Sequence, residues 1–423
     1  MALARRLAHA GQHVTLFERE PQPGGLAAGF RVGDAWLEHF YHHIFRSDRV
    51  VIRTIEELGL RSRLLWGNPP TSVLTGGSIH RLDSAASLLR FTPLSLIDRL
   101  RTAAAVAYLK LEPSGTRLEG ERAGRWLRRW MGEASYRTIW QPLLAGKFGV
   151  LAEEIGAPWF WARVHDRSSA LGYLRGGFQA LYEGLAADTT NHGGRLRFGV
   201  EVTGIARGPA GDITVATAGG AERFDRVIST LPTRVTGRLA PQLPAWYRDR
   251  FASGTSYGAH CLILALDRPL TGTYWLNISD QGYPFMVLVE HTNFLPAADY
   301  GGRHLLYLGN YRPMNDPIYA ADTSTLLAEY LPFLARINPA IQARWVTDAW
   351  SFHAPFAQPI VTVDYRQQIP PFRTPLPGLF VANMYQVYPH DRGQNYSIAL
   401  AERLARLLLA TPRAADGPLA QTG

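Results

Sequence analysis

Cysteine is nearly absent from this chain: Cys261 stands alone among 423 residues. Internal disulfides are thereby excluded, and the usage fits a reducing compartment. Lysine is scarce too, since all but Lys110 and Lys147 of the 44 lysine and arginine residues are arginine. Long apolar runs are missing, with nothing near the about 18 consecutive apolar residues that read as a bilayer span. Arg5, Arg6, His9 and Gln12 break up any secretory leader. The net charge of +9 is scattered rather than clustered, and the aromatic–basic alternation that grips single strands is lacking. Nucleic acid is not expected as a partner. The chain reads as cytoplasmic, with a small-molecule partner and an oligomeric state that the sequence does not reveal. What is plentiful is apolar content, 46%, enough over this length for a large core and two domains.

The stretch from Gly11 to Gly25, Gly-Gln-His-Val-Thr-Leu-Phe-Glu-Arg-Glu-Pro-Gln-Pro-Gly-Gly, carries the most information. Val14, Leu16 and Phe17 make a short apolar strand that stops at Glu18. In a dinucleotide-binding βαβ unit, a carboxylate at the tip of the second strand accepts the ribose hydroxyls of an adenine dinucleotide. Ala2 to Ala10 reads as the helix before that strand, with Gly11 as its stop. Gly24 and Gly25 would let a pyrophosphate or ribityl chain come close to the backbone. The acidic residue follows the glycine fingerprint by about 20 residues, which puts the last fingerprint glycine just before Met1. Two explanations stay open: a true start upstream of Met1, or a truncated form that binds its cofactor poorly.

Helical periodicity returns at Val50–Leu60, and Thr75-Gly-Gly-Ser-Ile-His80 reads as a hairpin turn. Ser84 to about Ala170 is mainly helical. Strands are expected from Leu196 to Leu231 and over Tyr257–Leu308, then a helix at Thr323–Ile337 and a strand–helix unit from Gly378 to Leu409. The expected fold is α/β: an FAD-binding, Rossmann-like domain that lacks its first strand, with an inserted α+β substrate domain. Segments 1–64, 173–239 and 356–410 would form the first domain, and 65–172 with 240–355 the substrate or lid domain. The tail 411–423 is expected to be disordered.

Four separated anchors carry a resemblance. They are Glu18 with Gly24-Gly25; Gly176-Gly-Phe-Gln-Ala-Leu181 followed by Leu196-Arg-Phe-Gly-Val-Glu-Val-Thr-Gly-Ile205; Asp225-Arg-Val-Ile-Ser-Thr-Leu-Pro232; and Gly378-Leu-Phe-Val-Ala-Asn383. In this order they resemble the flavin amine oxidase superfamily, which includes monoamine oxidases, protoporphyrinogen oxidases, phytoene-type desaturases and UDP-galactopyranose mutases. The resemblance implies an FAD-dependent oxidoreductase that transfers hydride from a small organic substrate to flavin N5. It also admits a non-redox, sugar-nucleotide mutase-like flavoenzyme, or a flavin-free truncated remnant that acts as a binding protein. It implies that the backbone of Val202 meets the adenine and that Asn383 lies beside the cofactor. Leu26-Ala27 stands where monoamine oxidases place arginine, closer to the desaturase and mutase branches. Members with covalent flavin carry a cysteine near the C-terminal motif; Cys261 is far from it, so noncovalent FAD is implied.

Gly393-Gln-Asn-Tyr-Ser397 opens the last helix, whose N-terminus would offer N–H groups and partial positive charge to a flavin pyrimidine. Gly393 permits the approach, and Asn395 reads either as an added donor or as a helix cap. On the substrate side, His42 and His43 follow the Gly-Gly turn. Lys147 resisted the arginine bias, and Tyr388 lies near the last helix; these four are the catalytic candidates. No carboxylate–histidine spacing suggests a metal. Tryptophans 126, 130, 140, 159 and 161 read as core and lid packing or as an apolar tunnel. The segment Leu88–Leu111, with Arg90, Arg99 and Arg101, could lie on a membrane surface as a peripheral contact.

Overall fold

A computed structural model of the protein describes residues 1–251 and 254–411. The expectation for the tail falls, beyond Thr411, outside the described residues. The helix Ala2–His9 ends at Gly11, whose φ of +75° suits glycine. The strand Thr15–Glu18 follows and pairs in parallel with Arg195–Phe198. A second parallel pair joins Val227–Ser229 to Leu379–Val381. Among the described residues no ladder connects the two pairs. Parallel strands need crossover helices, and here helices Ala2–His9, Gln179–Asn191 and Gln394–Ala410 pack beside them.

Leu7, Phe380, Ala382, Leu400, Leu404 and Leu408 form one apolar cluster there. Ion pairs tie the same helices at their rims. Arg5 reaches Glu57 at 2.6 Å and also binds Asp188, while Arg6 and Arg53 both hold Glu402 at 2.7 Å. A small antiparallel sheet, Val202–Arg207, Ile213–Thr217 and Gly220–Phe224, completes this half of the molecule.

The other half is built on a seven-stranded sheet. The strand Ser256–Leu266, flanked on both sides, is buried at every position. Alternation explains how: Cys261, Ile263 and Ala265 enter one core, and Leu262, Leu264 and Leu266 another, under the helix Thr323–Ile337. Strands Thr71–Thr75 and Ser78–Arg81, joined by the Gly76-Gly77 turn, extend the same sheet. Leu171–Leu174 instead pairs with Leu64–Gly67 and with Ile44–Phe45 in a separate small sheet.

The edge strand Val346–Pro359 was not legible in the sequence. It carries Pro355, Pro359 and Asp348, which an edge position tolerates and a central one does not. Helices Leu96–Leu111, Ala123–Met131, Gln141–Phe148 and Ala157–His165 enclose Trp126, Trp159 and Trp161 as core residues. Trp140 is half-buried and Trp130 exposed, so the five tryptophans do not line a common tunnel. Among the described residues no helix is long and apolar enough to cross a membrane.

Candidate functional site

Glu18 ends its strand with Oε1 accepting the Glu20 backbone N–H at 2.9 Å, and its carbonyl accepts the Val200 N–H at 2.9 Å. The latter bond brings the start of Val202–Arg207 beside the strand tip. Gly24 and Gly25 have φ of +131° and +55°. A Cβ on Gly24 would lie 2.8 Å from the Ala28 Cα, so the turn itself demands glycine there. A Cβ on Gly25 would meet nothing within 4 Å, which leaves the backbone open to a ligand. Leu26 is half-buried in the short helical turn Gly25–Ala27.

Gln179, fully buried at the head of its helix, clasps this turn. It donates to the Pro23 carbonyl at 3.0 Å and accepts the Gly29 N–H at 3.2 Å. Sequence reasoning missed Gln179, because nothing local marks a buried amide as a clasp.

At the C-terminal end, Asn383 is consumed internally. Its Nδ2 donates to the Leu231 carbonyl at 2.9 Å and to Thr233 Oγ1 at 3.1 Å, and its Oδ1 accepts the Tyr385 N–H. Gly393 is extended, and a Cβ there would meet nothing within 4 Å. Asn395 caps a helix, but not its own. Its Oδ1 accepts the N–H groups of Val50 and Val51 at 3.0 and 3.2 Å, at the head of Arg49–Glu57. That oxygen is therefore spent on a distant helix. Asn395→Ala is expected to cost about 1–2 kcal/mol of stability, the worth of a lost cap, measurable by urea unfolding. Next to it, both amide atoms of Gln394 are buried with no partner among the described residues.

A second group of side chains converges from five segments. Lys147, 4% exposed, donates to Asp391 Oδ2 at 2.7 Å, with its ammonium 4.9 Å from the Trp159 ring. Arg163 reaches the same oxygen at 3.4 Å. Arg392 binds the Tyr311 hydroxyl, and Tyr41 bonds to Tyr311 in turn. Burial holds Lys147 well below the usual lysine range despite the pull of Asp391. Asp391 is held low by Lys147, Arg392 and Arg163, which outweigh its own burial.

His42 is lowered to about 4 by burial and by Arg392, although its bond to the Phe40 carbonyl works the other way. His43 is lowered to about 3 by burial first and then by Arg167, His42 and Arg163. Both imidazoles are thus neutral near pH 7. Tyr41, His42 and His43 are each half-buried, so part of their surface stays accessible.

Of the four catalytic candidates, Lys147, His42 and His43 are related through the charges of Arg163 and Arg392, which act on them. Tyr388 points elsewhere: its hydroxyl donates to Glu119 at 2.9 Å and its ring packs on Tyr365. Among the described residues, one group with metal-ligand chemistry exists away from Lys147. His9, Asp188 and His192 bring their ligand atoms within 4.8 Å of one another. Arg5 already binds Asp188 and adds positive charge, which disfavours a cation there.

The site residues fit a flavin dinucleotide. Gly25 and Gly393 leave open backbone, and Gln394 holds an unpartnered amide at the head of a 17-residue helix. Glu18 stands at a strand tip, as ribose recognition requires. The family profile of flavin containing amine oxidoreductases matches residues 1–390, and the chain belongs to that family. No curated protein matches it in sequence.

Among solved structures, an oxidoreductase from Methanosarcina mazei is similar at a TM-score of 0.75 and 18% identity, covering 96% of this chain and 97% of that one. A reduced UDP-galactopyranose mutase follows at 0.71 and 14%, covering 98% and 94%. An engineered putrescine oxidase stands at 0.70 and 16%, covering 97% and 96%. At these identities the likeness carries the fold alone.

Proposed function

We propose that this protein is an FAD-dependent oxidoreductase of a small organic substrate, with noncovalent flavin held between the Glu18–Gly25 turn and the helix beginning at Gln394. The observation that carries this reading is the pairing of open glycine backbone at Gly25 and Gly393 with the unpartnered amide of Gln394. Glu18 would hold the ribose, the Val202 backbone the adenine, and Gly393 with Gln394 the pyrimidine end. Flavin, when bound, supplies a two-electron acceptor. The chain's own residues would then orient the substrate: Lys147 and Arg392 are fixed by Asp391 and Tyr311, and His42 and His43 offer neutral imidazoles near them. His42 gives its Nδ1–H to the Phe40 carbonyl, which leaves Nε2 as an acceptor.

The parallel pairs Thr15–Glu18/Arg195–Phe198 and Val227–Ser229/Leu379–Val381 support a Rossmann-like sheet. Glu18→Ala is expected to weaken FAD by about 1.5–3 kcal/mol, the worth of charged hydrogen bonds, with folding unchanged. Titration of FAD by flavin fluorescence, on this chain and on an upstream-extended form, checks it. Unchanged affinity in a flavin-binding form would remove Glu18 from the site.

Peripheral contact with an anionic lipid surface belongs to the same proposal. The helix Leu96–Leu111 leaves Ile97 71%, Leu100 54% and Leu111 82% exposed, with Tyr108 and Trp130 beside them. Exposed Arg90, Arg101 and Arg129 flank this face, the charge arrangement of a helix lying in a headgroup layer. Ile97→Glu/Leu100→Glu should abolish co-sedimentation with vesicles containing anionic lipid. Binding that survives the double variant, or none by the parent, would place the contact elsewhere or dismiss it.

A further inference from the structure

The helix Ala157–His165 ends in a carboxylate that holds two other segments. Asp166 closes this helix by donating its N–H to the Ala162 carbonyl at 2.9 Å. Lys110 pins the same end, donating to the carbonyls of His165 and Arg167. Oδ2 of Asp166 accepts His390 Nδ1–H and the Tyr396 hydroxyl, both at 2.7 Å, and Oδ1 meets His165 Nδ1 at 3.1 Å. The His390 and Tyr396 rings stack on each other at 4.4 Å with 11° between their planes. Arg163, earlier on the same helix, reaches Asp391 at 3.4 Å. One helix end thus grips two consecutive residues, His390 and Asp391, and also the first turn of the last helix.

That turn is held from two sides. Successive side chains on a helix lie about 100° apart, so Gln394, Asn395 and Tyr396 point in three directions. Asn395 is tied to the Val50 and Val51 N–H groups, and Tyr396 to Asp166. Two anchors on separate elements fix the rotation of the turn, which Ser397 closes by donating to the Gly393 carbonyl at 3.0 Å. Gln394 takes the remaining direction, its amide buried with no partner among the described residues. A carboxylate suits the anchoring role, because charge-assisted hydrogen bonds are short and geometrically demanding. We infer that Asp166 is a positioning residue: through Tyr396 and His390 it sets the rotation of this turn, and so the direction that Gln394 faces. The inference deepens the proposed function and rests on it for what Gln394 faces, the pyrimidine end of the flavin. The hold on the turn rests on the hydrogen bonds alone.

Amide hydrogen exchange on the full chain, with no flavin added, tests the hold. Asp166→Ala and Tyr396→Phe should each speed exchange at Ser397 and Ile398 by about tenfold or more, the worth of one hydrogen bond to a charged group. The later turns, 400–410, should exchange as in the parent. Asp166→Asn keeps an oxygen that accepts both bonds, so it should restore slow exchange. If Asp166→Ala fails to fold, Tyr396→Phe carries the test, since it removes a hydroxyl and keeps the ring. Exchange unaltered in Tyr396→Phe, or Asp166→Asn as fast as Tyr396→Phe, would overturn the inference.

The FAD-loaded protein separates the inference from the reading beneath it. A turn rotated away offers less to the charge that builds on reduction. Tyr396→Phe should therefore lower the affinity for reduced relative to oxidised FAD by about threefold, the size of a helix-end charge contact. Asp166→Asn should leave that ratio alone. A ratio that rises in Asp166→Asn would mean that the carboxylate acts on the flavin by its own charge, and positioning fails. If exchange changes as expected but the protein takes up no FAD, the flavin reading fails and the hold on the turn stands. If FAD binds and the ratio ignores Tyr396→Phe, Gln394 does not face the flavin, and the inference fails there while FAD binding stands.

Discussion

Asp391→Ala should lower stability at neutral pH by about 3 kcal/mol or more, the cost of leaving one member of a buried pair alone. Lys147 is 4% exposed, among Trp159, Phe148 and Tyr311, and Asp391 is its only carboxylate partner among the described residues. Without that partner, burial and the fields of Arg163 and Arg392 would all oppose the ammonium. Its proton affinity in the folded state then drops further below the ordinary value of 10.5. The unfolded chain would bind the proton more tightly, so the variant should regain stability as pH rises toward 10. Urea unfolding at pH 7 and 9.5 checks both the loss and its recovery. Lys147→Met in the same chain should restore much of the difference, because removing both charges leaves no orphan. A variant as stable as the parent at pH 7 would show that the pair is solvated.

Glu38 should make the whole fold more stable in mild acid. It is 1% exposed, where its Oε2 meets the Tyr173 hydroxyl and its Oε1 accepts the Phe178 N–H, each at 2.6 Å. Burial outweighs both bonds and pushes the carboxyl up to about 7 from 4.5. A raised folded value means that the native state holds the proton more tightly. The contribution is thus complete below about pH 4.5 and is lost as pH rises through about 7. The span is worth about 3 kcal/mol. Glu38→Gln keeps both partners and removes the titration, so its stability should be flat across that window. Parallel pH profiles for parent and variant would refute the assignment.

Local signals were the legible part of this molecule. The helix Ala2–His9 with Gly11, the strand ending at Glu18 and the Gly76-Gly77 hairpin each follow from residues within one turn or one alternation. Lys147 was legible for a compositional reason, as a lysine kept in an arginine-rich chain. Arg163, Tyr311 and Asp391 were not, since each looks ordinary in its own segment and acquires a role only where the segments meet. Asn395 shows the boundary most clearly. Its type announces a cap, but the capped helix is Arg49–Glu57, whose Val50 lies 345 residues before Asn395. Glu38 and Gln179 were invisible for the same cause, because the groups that satisfy a buried polar side chain are set by tertiary packing.

The cap from Asn395 also governs the order of events on the ribosome. The helices Ala2–His9 and Arg49–Glu57 emerge first, yet their partner Gln394–Ala410 is among the last described residues to be made. At about 5–20 residues per second, translation takes roughly 20–70 s to cover that separation. Until then the first helices lack their cap, their Glu402 pairing and the apolar cover of Leu400, Leu404 and Leu408. The seven-stranded sheet, complete by Pro359, can close while the opening segment still waits. The half of the molecule that holds these helices therefore matures later than the seven-stranded sheet, and shielding the nascent chain matters most for the segment that carries them.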